Sequence, residues 1–165
     1  MPDFLIEAKI GGRIAGVDEV GRGPLSGPVT AAAVVLDPSH IPFGLDDSKK
    51  LNARVRETLW AEILRFAQVS VAHATVEEID QMNILNASHL AMKRAVIGLG
   101  QVPDHLLIDG NLIPSGLTLP ATAVVKGDGR SQSIAAASIV AKICRDRIMV
   151  DLAQHYPQYA WETNV

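Results

Sequence analysis

Asp18 and Glu19 close an apolar run in IAGVDEVGRGPLSGPV, and two further acids, Asp109 and Asp128, end later apolar runs in LLIDGN and VVKGDG. Acids at the ends of buried strands are costly unless a cation neutralises them. Carboxylate oxygens are the donors that hard divalent ions prefer. Two such ions about 3.5–4 Å apart can activate a water and stabilise the leaving oxygen of a phosphodiester. Four acids without a histidine partner suit that chemistry. Gly110 follows Asp109, and Gly127 and Gly129 flank Asp128. Gly21 and Gly23 flank Arg22 in the same way. Bare backbone there lets a ligand approach closely, and the guanidinium can donate to a phosphate or a sugar.

Adjacent residues of a regular strand point to opposite faces, so Asp18 and Glu19 cannot both face one site in an ideal strand. Either the strand is distorted there, as bulges beside active sites often are, or Glu19 contributes from a different direction. Asp18 is assigned the central, metal-bridging position. Any one of these acids alone reads as a solvated strand end; their joint occurrence beside glycines is what carries weight. The GRGPLSG turn is not a dinucleotide loop: Gly21, Gly23 and Gly27 miss the GxGxxG spacing, and a strand rather than a helix follows. Lys49 and Lys50 in LDDSKKL suit backbone phosphates as mobile point charges, or else decorate a solvated loop. Lys126, Arg130, Lys142 and Arg145 add positive charge near Asp128, with Lys142 and Arg145 close to one face of a helix.

The elements that must position these residues alternate between strand and helix patterns. Ile14 to Val20 and Val29 to Leu36 read as paired strands joined by the glycine-rich turn, and LDDSKKL reads as an exposed polar connection. Asn52 caps a helix whose apolar stripe is Val55, Leu59, Ile63 and Phe66. A strand over Val69 to Thr75 follows, then a short acidic helix near Val76 to Asp80. Asn83 caps a helix that buries Leu85, Met92, Ala95 and Leu99 and stops at Gly98 and Gly100. His105 to Asp109 and Ala121 to Lys126 are strands, and Ser131 to Ala153 is a helix whose Ala135, Ala136, Ala137 and Ser138 are small enough for close packing on a sheet. This order implies one α/β layered domain across the 165 residues.

Composition narrows the class. The net charge of −3 argues against binding nucleic acid by basicity alone, yet two bound divalent ions would turn it to +1. Cys144 is the single cysteine, so no disulfide and no thiolate cluster can form, and it reads as a buried inert thiol. The five histidines lack the spacing of a helical metal pair. The longest apolar runs are too short to span a membrane, and no basic-then-apolar leader opens the chain, which points to a soluble, cytoplasmic protein.

AGVDEVGRGPLSGPV, LDDSKKL, EIDQMNIL, LLIDGN, and VVKGD followed by SIAAASIVAKICRD together resemble the bacterial ribonuclease HII family, the type 2 ribonucleases H, over nearly all of Ile14 to Asp146. The resemblance implies a ribonuclease H-like fold, a central mixed five-stranded sheet flanked by helices. It implies an endonuclease that cleaves the RNA strand of RNA·DNA hybrids, and duplex DNA on the 5′ side of an embedded ribonucleotide, leaving 3′-hydroxyl and 5′-phosphate ends. Its four catalytic and metal-holding acids fall on Asp18, Glu19, Asp109 and Asp128, with Mn²⁺ or Mg²⁺ as cofactor. Its reader of the ribose 2′-hydroxyl falls on Gly21, Arg22 and Gly23, and a monomer is expected. Family chains continue past HYPQYAWETNV into a Gly-Tyr pair whose tyrosine stacks beside the junction. Neither Tyr156 nor Tyr159 occupies that position, so a shortened form with a weaker substrate grip is expected. The readings from other classes are a hybrid-binding protein without activity and another nuclease of the same fold.

Overall fold

Valine, alanine and isoleucine runs make the central strands, and the computed structural model, which describes residues 1–22 and 27–155, orders the elements along the chain. Helix α1 (Leu5–Ile10) precedes β1 (Ile14–Val20) and β2 (Val29–Val35), and α2 (Ala53–Phe66) leads to β3 (Gln68–Ala74). Helices α3 (Val76–Met82) and α4 (Ile84–Ile97), strands β4 (His105–Asp109) and β5 (Ala121–Val124), and the long α5 (Gln132–His155) complete it. The strands form one mixed sheet in the order β3-β2-β1-β4-β5. The β1–β2 and β2–β3 pairs are antiparallel, and β1–β4 and β4–β5 are parallel.

Period-two alternation divides the sheet between two layers of helices. Ala15, Val17, Ala31 and Ala33 pack with Ala91, Met92 and Ala95 of α4, whereas Ala32 and Val34 pack with Ala136, Ile139 and Val140 of α5 and Leu59 and Ile63 of α2. Among the described residues, sequence and structure agree on the existence of each strand and of these helices, although β5 ends at Val124 rather than at Lys126, which turns into the left-handed region. Of the stripe expected on α2, only Leu59 and Ile63 are buried; Phe66 lies at the surface, stacked on His40. Leu85 is half-buried rather than core. Cys144 is half-buried, and burial pushes its thiol up, consistent with an inert residue.

The start of α5 is set very close to the sheet. A Cβ on Gly16 of β1 would overlap the backbone of Ser133 and Ile134, so only glycine permits this approach. Helix α1 secures the same place from outside. The buried Glu7 accepts from the Ser131 hydroxyl at 2.5 Å and from the Ser133 amide at 3.0 Å. The Gln132 amide donates to the Asp3 carbonyl at 3.0 Å. The first turn of α5, and with it the loop carrying Asp128, is therefore fastened to β1 and to the N-terminal segment. No helix among the described residues is long and apolar enough to cross a membrane.

Candidate active site

The ends of β1 and β4 lie side by side because the parallel register sets Val17 opposite Ile108. One residue further on are Asp18 and Asp109, and the adjoining Glu19 joins them: one carboxylate oxygen from each lies within 4.8 Å of the others. The β1–β2 register runs unbroken from Ala15 to Val20, with Asp18 paired to Ala32 and Glu19 to Ala31. No bulge is present there, which resolves the alternatives for the acidic pair. Asp18 lies on the α5 side with Ala32, Glu19 lies on the α4 side with Ala31, and the longer glutamate meets the other two at the strand end.

Asp128 stands beside this trio without belonging to it. It lies in a 3₁₀ turn, Gly127–Gly129, entered through Lys126 in the left-handed region at φ 53°. The turn's amides grip Asp109: Gly127 donates to its Oδ1 at 2.8 Å and Asp128 at 3.4 Å. A Cβ on Gly127 would come within 2.5 Å of Ile134, so the glycine lets the turn press against α5.

All four acids line one cleft of about 550 Å³, together with Gly21, Arg22, Ser48, Lys49, Ser138 and Lys142. Asp18 is only 5% exposed, and desolvation followed by the charges of Asp109 and Glu19 pushes its carboxyl well above the ordinary range. Glu19 is also raised, chiefly by burial, against the opposing pull of Arg22, whose Nη1 lies 3.5 Å from its Oε1. Asp128 is pushed up to about 6 by burial and by Asp109 and Asp47, with Lys49 acting the other way. Glu19 Oε2 is buried without a hydrogen-bond partner. Carboxylates crowded and desolvated in this way are a poor arrangement for a protein alone and a good one for hard cations. The donor set fits divalent metal ions.

The expected cations divide. Arg22, Lys49 and Lys142 reach the cleft, the last while paired with Asp146 at 3.0 Å. Lys50 is exposed and does not line the cleft. Arg145, grouped with substrate-facing cations on sequence grounds, is instead 1% exposed, and its Nε donates to the Pro28 carbonyl at 3.3 Å. Its guanidinium lies beneath Gly21, where a Cβ would come within 2.5 Å of Nε, so the arginine supports the turn from below. Gly21 takes φ 103°, a conformation suited to glycine. Gly23, Tyr156 and Tyr159 lie outside the described residues.

Sequence reasoning passed over Asp47, Ser48 and Ser138 as site residues. Asp47 hydrogen-bonds the Asp128 carboxyl and accepts from the Lys49 amide at 3.0 Å. The available signal was an acid placed as a cap ahead of Ser-Lys-Lys.

Residues 15–165 match the family model described as Ribonuclease HII. The Ribonuclease HII of Ruegeria pomeroyi is 67% identical over 167 residues, covering 99% of this chain and 71% of the relative. That of a Jannaschia species is 63% identical, covering 99% and 82%. Among solved structures, the ribonuclease H2 of Pyrococcus horikoshii superposes with a TM-score of 0.74 at 30% identity, covering 87% of this chain and 77% of that one.

Proposed function

We propose a function for a chain that belongs to the ribonuclease HII family: it is an endoribonuclease that hydrolyses the RNA strand of RNA·DNA hybrids and cuts duplex DNA on the 5′ side of embedded ribonucleotides. The products carry 3′-hydroxyl and 5′-phosphate ends. The observation that carries the reading is the meeting of Asp18, Glu19 and Asp109 within 4.8 Å at the end of the sheet, with Asp128 alongside and cations on the rim.

Asp18, Glu19, Asp109 and Asp128 hold the metal ions, with Asp18 central because the carboxylates of Glu19 and Asp109 both adjoin it. Two divalent ions, Mn²⁺ or Mg²⁺, supply activation of the attacking water and stabilisation of the departing oxygen when bound. The amides of Gly127 and Asp128 fix the Asp109 carboxylate in place. Lys49 and Lys142 meet backbone phosphates as point charges. Gly21, which has no side chain to block the approach, lets the backbone come up to the ribose, and Arg22 and Gly23 belong to the same reading of the 2′-hydroxyl. That hydroxyl is the group by which a protein distinguishes RNA from DNA. A single catalytic domain acting as a monomer in the cytoplasm completes the proposal.

The test is cleavage of a duplex carrying one ribonucleotide, with an all-DNA duplex of the same sequence as control, in Mn²⁺. Cleavage of the first alone, 5′ to the ribonucleotide, is expected. Cleavage of both would remove the 2′-hydroxyl reader, and binding without cleavage would leave a hybrid-binding protein.

A further inference from the structure

The segment expected to be an exposed connection is docked in the cleft wall. Asp47 caps a 3₁₀ turn, Ser48–Lys50, and Ser48 at its head is 4% exposed. The Ser138 hydroxyl of α5, itself 6% exposed, donates to Ser48 Oγ at 2.8 Å. The Ser48 amide in turn donates to Ser138 Oγ at 3.3 Å. Arg56 of α2 holds the other side, its Nη1 donating to the Ser48 carbonyl at 3.0 Å and to the Leu51 carbonyl at 2.5 Å. The turn is thus clamped between two helices, and beside Ser48 it presents Lys49 to the cleft.

A lysine on a free loop gives up much entropy to hold one phosphate, because both its stem and its backbone must be ordered. A clamped backbone removes the second part of that cost before substrate arrives. We propose that Ser138 and Ser48 are a positioning pair for substrate binding: their reciprocal hydrogen bonds fix the turn so that the Lys49 ammonium is held over the cleft to take a backbone phosphate of the nucleic acid. Neither serine acts on the reacting atoms; both work through Lys49. The inference rests on the proposed reading of the cleft as a site for RNA·DNA substrate.

The experiment is a set of double-mutant cycles: wild type, Ser138→Ala, Ser48→Ala, Lys49→Ala and the two serine–lysine doubles. KM and kcat are measured on the one-ribonucleotide duplex in Mn²⁺ at several salt concentrations. Loss of a hydrogen bond of ordinary strength at Ser138 raises KM about 2- to 10-fold, and kcat stays within about 2-fold. The slope of log KM against log salt shrinks by up to about 0.9, the share of one phosphate contact. Placed on Lys49→Ala, either serine substitution adds nothing further, because the group it positions is gone. Ser48→Ala keeps the amide bond to Ser138 and carries the test if Ser138→Ala melts below the assay temperature. Unchanged KM in both serine variants would overturn the proposal, as would a loss in kcat instead of KM, or a serine effect that persists in full on Lys49→Ala. A wild type that cleaves no hybrid fails the functional reading, and is distinguished from these outcomes by its own control.

Discussion

Replacing Asp128 with asparagine should stabilise the metal-free protein and destabilise the metal-loaded one, relative to wild type. Asp128 is pushed from an ordinary 3.8 up to about 6, first by burial, then by the charges of Asp109 and Asp47. The folded state therefore binds this proton more tightly than the unfolded state does, and stability falls as pH rises between the two values. Below about pH 4 the group is protonated in both states and costs nothing. Above about pH 6 it is charged in both states, and the folded protein bears the full penalty. At 1.36 kcal/mol per pH unit, the rise corresponds to about 3 kcal/mol. Asp128 is only half-buried, and solvent screening reduces this to roughly 1–1.5 kcal/mol. Asparagine is neutral at every pH and keeps an amide that can donate to Asp47. In EDTA at pH 7.5, Asp128→Asn should therefore melt about 2–6 °C above wild type, at about 2–4 °C per kcal/mol for a chain of this size. The gap should close as pH is lowered through 6 towards 4. Millimolar Mn²⁺ should reverse the order, because wild type gains stability by mass action on a site that the variant has weakened. A wild type that melts higher in EDTA at pH 7.5, or a gap independent of pH, would show that repulsion and burial do not strain this acid.

Gly16→Ala should be among the most damaging small substitutions, since its Cβ overlaps the backbone of Ser133 and Ile134 and neither can yield as a side chain would. Overpacking of this kind costs about 3 kcal/mol, hence about 6–12 °C in the melting temperature, and cleavage should fall with it because the displaced α5 follows directly on the loop carrying Asp128. Arg22→Ala removes the charge that restrains Glu19, so this carboxyl holds its proton to higher pH. Carboxyl-region infrared or NMR titration of the metal-free variant should show the Glu19 transition moved to higher pH than in wild type, and an unmoved transition would show that the ion pair does not restrain it.

Much of the site was legible because its signals are local. A run such as IAGVDEV announces both a strand and its acidic end, and Asn52 and Asn83 announce helices by capping them. The mixed sheet followed from the family resemblance, and its register then explained how Glu19 and Asp18 share a centre without a bulge. What stayed hidden depends on partners far along the chain. Ser48 and Ser138 are 90 residues apart, so DSKK reads as solvated until α5 supplies its partner. Arg145 reads as a surface cation at its helical position, yet the bare backbone of Gly21 leaves room for its guanidinium beneath the turn. Glu7 has no local partner to mark it as buried, and only the start of α5, which arrives 124 residues later, gives its carboxylate a hydrogen-bond donor.

The proposed function requires four carboxylates, at the ends of two adjoining strands and on a neighbouring turn, to hold a pair of metal ions. Anomalous diffraction at the manganese edge, from crystals of the protein soaked in Mn²⁺ with a one-ribonucleotide duplex bound, measures this directly. Two manganese peaks about 3.5–4 Å apart are expected, with Asp18 a ligand to both and Asp128 to one of them. Manganese peaks absent from the coordination distance of Asp18, or present only away from the cleft, would contradict the proposal.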